Sequence, residues 1–357
     1  MDRSLIMLRP LSLLFGLAGV IYSLFHASCT AAADITFAPA VYYAAGQGVV
    51  FVTATDCEGN PIDLDGDGDI DLVVANYESD DVSVLLNLGD GTFANPVHYD
   101  VQGSPESLTV VDFNGDRAVD IAVANFTGNS FSILLGNGDG TFGVAQHYLM
   151  GFKVRAIAAG DLNSDGSPDL ALTLWNAPFS DRVRVFLNNG GAVFQQTAVL
   201  DSGYGSPVFI EIEDLNGDGS RDISVLKTNM DPDEVVVWLN SGDATFGAGT
   251  AFPTGPYYSD EAPTWLATGD FDQDQDLDIV VSLWSLNSTA SVRLLLNLGN
   301  GTFSAPVYIY AGGLGESVDP GDFDRDGDLD LALARTQDVR ILQNDGGGYS
   351  YPRKVFL

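Results

Sequence analysis

The sequence predicts an all-β protein, a β-propeller of four-stranded blades. Three observations carry the expectation. An acidic nonapeptide recurs six times at near-constant spacing. Each copy is flanked by short apolar runs rich in β-branched residues and bounded by Gly, Asn and Asp, which read as strands. No persuasive helical period occurs after the first 33 residues.

The nonapeptides are DLDGDGDID from Asp63, DFNGDRAVD from Asp112, DLNSDGSPD from Asp161, DLNGDGSRD from Asp214, DFDQDQDLD from Asp270 and DFDRDGDLD from Asp322. Successive copies start 49, 49, 53, 56 and 52 residues apart. An apolar run (A) precedes each loop, and a second (B), such as DIAVAN or DLALTLW, follows it directly. A polar corner leads to a third (C), such as VSVLLN or VRVFLNN. A Gly-rich turn then leads to a fourth (D), such as GTFANPVHY or GTFSAPVYI. Four strands per unit of about 50 residues, without linker-like stretches between units, favour radial closure over a solenoid or separate small domains. Six A-B-C sets predict six blades. Segments 35–43 and 348–357 both resemble strand D, so one D is surplus, and a seven-bladed ring with one incomplete blade is the alternative.

Residues 1–33 read as a signal peptide, with Arg3 and Arg9 ahead of the apolar run LSLLFGLAGVIYSLF and Ala31 and Ala33 at a small-residue cleavage site. A membrane anchor is the competing reading of this segment, and a lipid anchor at Cys29 lacks the usual preceding aliphatic residue. The propeller is assigned to residues 34–357, and the expected location is secreted, cell-surface or periplasmic, with no stable membrane insertion after cleavage. Cleavage leaves Cys57 as the single cysteine, so no internal disulfide framework is expected. A formal charge of −34 argues against nucleic acid or an anionic membrane as partner, while 45% hydrophobic residues argue against disorder.

Each nonapeptide carries Asp or Asn at positions 1, 3, 5 and 9. Carboxylates this close repel one another unless something positive lies among them. The donor set suits a hard cation bound by oxygen, calcium with its loose geometry more readily than magnesium. Zinc would call for His or Cys, which the loops lack. An EF-hand loop needs Glu at position 12 and a helix beyond. Position 12 is Val74, Val123, Leu172, Val225, Val281 or Leu333, all apolar. Plain acidic turns are the bland alternative.

These loops and the GTF-x-x-P-V strands resemble the FG-GAP/VCBS repeats of integrin α-subunit propellers and many secreted bacterial proteins, over roughly residues 35–357. The resemblance implies calcium in each A–B hairpin, up to six ions. The implied ligands are Asp63, Asp65, Asp67 and Asp71; Asp112, Asn114, Asp116 and Asp120; Asp161, Asn163, Asp165 and Asp169; Asp214, Asn216, Asp218 and Asp222; Asp270, Asp272, Asp274 and Asp278; and Asp322, Asp324, Asp326 and Asp330. Two loops depart from the pattern at position 6, where Arg117 and Gln275 replace a Gly that adopts unusual backbone conformations cheaply.

No catalytic arrangement is legible. His98 and His147 lie five residues after the Phe of a GTF strand, where other repeats carry Tyr42, Val199, Ala251, Tyr308 and Lys354, so the position reads as structural. Without them no Ser/His/Asp or Cys/His set is available. Cys57 reads as a buried thiol. No acid stands outside the repeat pattern clearly enough to name a glycosidase pair, and NDGGGY (344–349) lacks the Lys and helix of a phosphate loop. The leading expectation is a binding or adhesion module for a glycan or protein. A carbohydrate-active hydrolase or lyase is the alternative, and a plain scaffold the third possibility. The A–B loops put calcium on one propeller face. The B–C corners on the other carry Tyr77, Phe126, Trp175, Thr228, Trp284 and Thr336, of which the four aromatics form a candidate ligand ring. The resemblance points to the same face, because integrin propellers bind ligands away from the calcium hairpins. GYGSP (203–207) and GPYYSDEAP (255–263) lie beside this ring.

Overall fold

The computed structural model describes residues 41–175, 182–228, 232–255, 261–285, 292–311, 315–335, 338–344 and 346. The leader, most of the 35–43 segment and all of the 348–357 segment lie outside the described residues.

Six antiparallel meander sheets form a six-bladed β-propeller. The A strands are Val49–Thr53, Pro105–Val111, Lys153–Gly160, Ser206–Glu213, Glu261–Gly269 and Gly315–Gly321. The B strands are Leu72–Asn76, Asp120–Asn125, Asp169–Trp175, Asp222–Thr228, Asp278–Ser285 and Asp330–Arg335. The C strands are Asp81–Leu85, Ser130–Leu134, Val183–Asn188, Asp233–Trp238, Val292–Leu295 and Val339–Leu342. D strands complete five blades at Val97–Asp100, Gln146–Leu149, Phe194–Leu200, Thr250–Gly255 and Val307–Ile309, and the sixth blade shows three strands among the described residues.

The B strands read as continuous apolar runs because neighbouring blades cover both of their faces. Leu72–Asn76, Asp120–Asn125 and Asp222–Thr228 are buried throughout. D strands sit at the rim and are mostly exposed. Every A–B pair has a bulge near the beginning of A. Pro105, Pro207 and Pro263 occupy bulges, where a missing ladder donor is tolerated.

The core is a series of inter-blade layers. Separate hydrophobic clusters join blades 1 and 2, 2 and 3, 3 and 4, 4 and 5, and 5 and 6. A sixth, built on Ala54, Leu72, Val74 and Leu85 of blade 1, has Tyr43 and Ala45 of the segment before strand A packed against it.

The axis is filled. Trp265 of blade 5 meets Phe209 of blade 4 at 4.3 Å and Phe51 of blade 1 at 5.4 Å between ring centroids. Between strand A and its acidic loop, blade 1 inserts a small hairpin, residues 54–61, closed by the Thr55–Pro61 bridge. Its Cys57 N–H donates to Val110 O of blade 2 at 3.1 Å, and its Glu58 lies 3.5 Å from Arg221 of blade 4. The hairpin therefore spans the ring on the side of the acidic loops.

Candidate metal loops and the opposite face

All six acidic loops share one backbone path. Position 6 adopts positive φ in each: Gly68 91°, Arg117 77°, Gly166 84°, Gly219 88°, Gln275 77° and Gly327 97°. Arg117 and Gln275 therefore keep the loop shape and carry the strain that Gly avoids. The position-6 N–H donates to Oδ2 of the position-1 aspartate at 2.7–3.2 Å. The position-7 N–H donates to Oδ1 of the position-5 aspartate at 2.8–3.0 Å.

Position 9 has a structural task. Asp71, Asp120, Asp169, Asp222, Asp278 and Asp330 are each fully buried. Their Oδ2 atoms accept the N–H of position 2 at 2.8–3.1 Å. Their Oδ1 atoms accept a backbone N–H just past strand C, from Asn87, Gly136, Asn188, Asn240, Asn297 or Asn344, at 2.7–2.8 Å. Each carboxylate thus ties its loop to the C–D turn. Burial pushes all six up to about 6, against the pull of these two donors, and the nearby loop aspartates add to the rise.

The Asn residues past strand C extend the tie to the next blade. The side-chain amides of Asn188, Asn240, Asn297 and Asn344 donate to the position-2 carbonyls of the preceding blade, Phe113, Leu162, Leu215 and Phe271, at 2.7–2.9 Å. These residues were visible in LNN, WLN, LLLN and LQN but read only as turn formers.

The loops fit a hard cation by their donor chemistry. In three, the carboxylates of positions 1, 3 and 9 converge with ligand atoms within 4.8 Å of one another: Asp63, Asp65 and Asp71; Asp270, Asp272 and Asp278; Asp322, Asp324 and Asp330. Asp270 Oδ1 is buried without a hydrogen-bond partner. Burial, reinforced by the adjacent carboxylate, raises Asp272 and Asp324. The remaining loops carry Asn at position 3, and its amide donates to the position-5 carboxylate at 2.9–3.0 Å. The Asp270 loop, which departs from the pattern at Gln275, nevertheless belongs to the three-carboxylate group.

The histidines occupy structural positions. His98 pairs across the sheet with Ser83, as do His147 with Ser132, Val199 with Arg184, Ala251 with Val236, and Tyr308 with Arg293. The Nδ1 atoms lie 3.0 and 2.8 Å from the Ser83 and Ser132 hydroxyls, which are fully buried. Asp81 lies 3.5 Å from the same Nδ1 of His98, so serine and acid meet one ring nitrogen rather than opposite ends. Burial first, then the charges of Asp56 and Glu58, pushes the Cys57 thiol up to about 12, far from a thiolate at neutral pH.

Two acids do stand outside the repeat pattern. Glu211 and Asp319 occupy the strand-A position paired with Ser224 and Ala332 of strand B, where other blades have Thr53, Thr109, Ala158 and Ala267. Burial pushes Asp319 up to about 7 and Glu211 well above the usual carboxylate range. Thr268 hydrogen-bonds to Glu211, and the charges of Glu213 and Asp319 raise it further. Glu211 Oε2 is enclosed without a partner. Comparing the six A strands exposes both residues, but the acidic loops dominate that comparison.

On the opposite face Tyr77, Phe126, Trp175 and Trp284 are all half-buried, and Thr228 is buried. Thr336 and residues 256–260 lie outside the described residues. Tyr204 of GYGSP is 72% exposed. Lys153 Nζ sits 4.4 Å above the Phe126 ring, and the Arg155 guanidinium 5.2 Å from the Trp175 ring.

Fold and loops together define a repeat β-propeller with one acidic A–B hairpin per blade. The chain belongs to the FG-GAP-like repeat family, whose model matches residues 63–123, 112–172, 214–281 and 283–333. No curated protein matches the chain. Solved structures share the fold. A Lactobacillus plantarum protein aligns with a TM-score of 0.61 at 14% identity, over 87% of this chain and 85% of its own. A candidate 6-phosphogluconolactonase from Bacteroides uniformis gives 0.61 at 13%, over 85% and 83%. A protein of unknown function from Desulfotomaculum acetoxidans gives 0.58 at 12%, over 87% of both chains. At these identities the likeness is one of fold alone. Among the described residues no helix is long and apolar enough to cross a membrane.

Proposed function

We propose that this protein is an exported, calcium-stabilised propeller that binds a glycan or protein ligand on the face opposite its acidic loops. The observation that carries the reading is the division of labour between the faces. Crowded carboxylates gather in the A–B loops, three of which bring positions 1, 3 and 9 within 4.8 Å. Half-buried aromatics occupy equivalent corners at the other end of the blades.

Calcium supplies charge neutralisation and oxygen coordination in such loops. Asp or Asn at positions 1, 3 and 5 and Asp at position 9 would hold it. Position 9 also clamps the loop to the C–D turn, so occupancy stabilises the blade. The aromatic corners offer apolar ring surface beside polar groups, a surface suited to sugar or protein recognition.

The test uses the chain without residues 1–33. Metal content is measured after equilibration with calcium, thermal unfolding is followed in calcium and in EDTA, and the protein is screened on glycan and protein arrays beside a polysaccharide turnover assay. Bound calcium, a higher Tm in calcium and array binding without turnover are expected. Identical melting in calcium and EDTA would overturn the metal assignment, and polysaccharide turnover would overturn the binding reading.

A further inference from the structure

The corner between blades 2 and 3 differs from the others. Lys153 begins strand A of blade 3, and its Nζ lies 4.4 Å from the ring centroid of Phe126, on blade 2. Trp175, the last residue of the adjacent B strand, is the register partner of Lys153. Arg155 lies 5.2 Å from the Trp175 ring, and its Nε is 3.7 Å from Glu106 of blade 2. Ring, ammonium, ring and guanidinium therefore form one row across two blades. All four residues are half-buried, so the row is partly open to solvent.

Such a row is unusual in so acidic a chain. The chain has 15 Lys and Arg against 49 Asp and Glu, yet two cations stand here one residue apart in strand A. Cation–π contacts at exposed sites contribute only about 0.5–1 kcal/mol, so they orient these cations more than they hold the fold. Among the described residues Lys153 has no carboxylate within ion-pair distance. Glu106 meets the Nε edge of Arg155, and a guanidinium has five donors, leaving others for a second acid.

We propose that the row Phe126–Lys153–Trp175–Arg155 binds an acidic polysaccharide whose sugar rings carry carboxylates. The net charge of −34 repels a polyanion at long range, but salt screens exposed charges beyond about 8 Å; at contact range the two cations take successive carboxylates, and the rings beside them receive the C–H faces of the sugars. A polymer repeats charge and ring in alternation, as this row does; an acidic peptide supplies the charge without the ring faces. The inference rests on the opposite face being the binding face.

Three uronate polymers, polygalacturonate, alginate and hyaluronan, serve as probes in the form of short oligomers that calcium does not gel, each beside its carboxyl-reduced form, on the full propeller in calcium buffer. At least one intact polymer should bind. Carboxyl reduction or Lys153→Gln with Arg155→Gln should weaken it at least tenfold, and raising NaCl from roughly 50 to 500 mM should weaken it as well. Arg155→Lys should recover part of the loss in the single-site background. Unchanged Tm in the double variant keeps a folding defect out of the comparison. No binding by any of the three, equal binding of reduced and intact polymer, or unaltered binding by the double variant overturns the inference. Equal affinity for polyglutamate overturns it in favour of an acidic protein. Binding to a neutral glycan alone refutes this inference while leaving the binding-face reading standing. Array silence together with polysaccharide turnover defeats both.

Discussion

Replacing Asp169 separates the structural task of position 9 from the metal-holding task proposed for it. Its Oδ2 accepts from Leu162 N at 3.0 Å and its Oδ1 from Asn188 N at 2.7 Å, both in a fully buried setting. Asp169→Ala leaves two buried backbone donors unpartnered. At about 1–3 kcal/mol for each, the expected loss is about 2–6 kcal/mol. Asp169→Asn keeps one acceptor oxygen and turns an amide toward the other donor, so its loss should be smaller. Asp165→Asn, at exposed position 5 of the same loop, should cost under about 1 kcal/mol without metal and show its main effect in calcium. Urea unfolding of the three variants, in EDTA and in excess calcium, distinguishes the tasks. A metal-free Asp169→Ala protein within about 1 kcal/mol of the native one would refute the clamp. So would a loss that appears only when calcium is present.

Calcium itself should raise the Tm. A site with Kd on the order of 10⁻³ M contributes about 1.4 kcal/mol at ten times that concentration, and several sites add. Anomalous scattering at limiting calcium should find the Asp63 and Asp322 loops occupied before the Asp112 loop, whose position 6 is Arg117; the reverse order would refute the ranking. Arg117→Gly should stabilise the metal-free protein by about 1 kcal/mol by relieving a residue at φ 77°; chemical denaturation showing no gain removes the strain argument. Asp319 sits at about 7 when folded, above its ordinary unfolded value of about 3.9. Its contribution is therefore complete below about pH 4 and lost as pH rises through about 7. Melting curves should show the native protein losing more Tm between pH 5.5 and 8.5 than Asp319→Asn with Glu211→Gln, and parallel curves would sink this assignment.

The ring of blades was legible because each strand and turn is repeated six times, so a chance pattern in one copy is corrected by the others. The acidic loops were legible for the same reason, and the positive φ of Arg117 and Gln275 agrees with the glycines they replace. What escaped the sequence depends on contacts between units. Asp169 looks like any other loop aspartate until the C–D turn closes over it. Asn188 looks like a turn residue until its amide reaches Phe113 of the blade before. Lys153 lies 22 residues from Trp175, and only strand register makes them neighbours. Glu211 and Asp319 lay in plain view, but each shares its A strand with a second acid, Glu213 or Glu316, and its position stands out only when all six strands are aligned.

The asparagine amides run in one direction, each blade holding the one before it, from blade 6 back to blade 2. Blade 2 has Gly136 at this place, where a Cβ would meet Val119 O at 2.2 Å, and Asn87 of blade 1 turns its amide to Ile70 of its own blade. Among the described residues no hydrophobic cluster joins blade 6 to blade 1. Over the described residues the fastening is thus linear, five blade-to-blade layers in series. In such a series each layer is shared by only two blades, so loosening one layer leaves the others clasped.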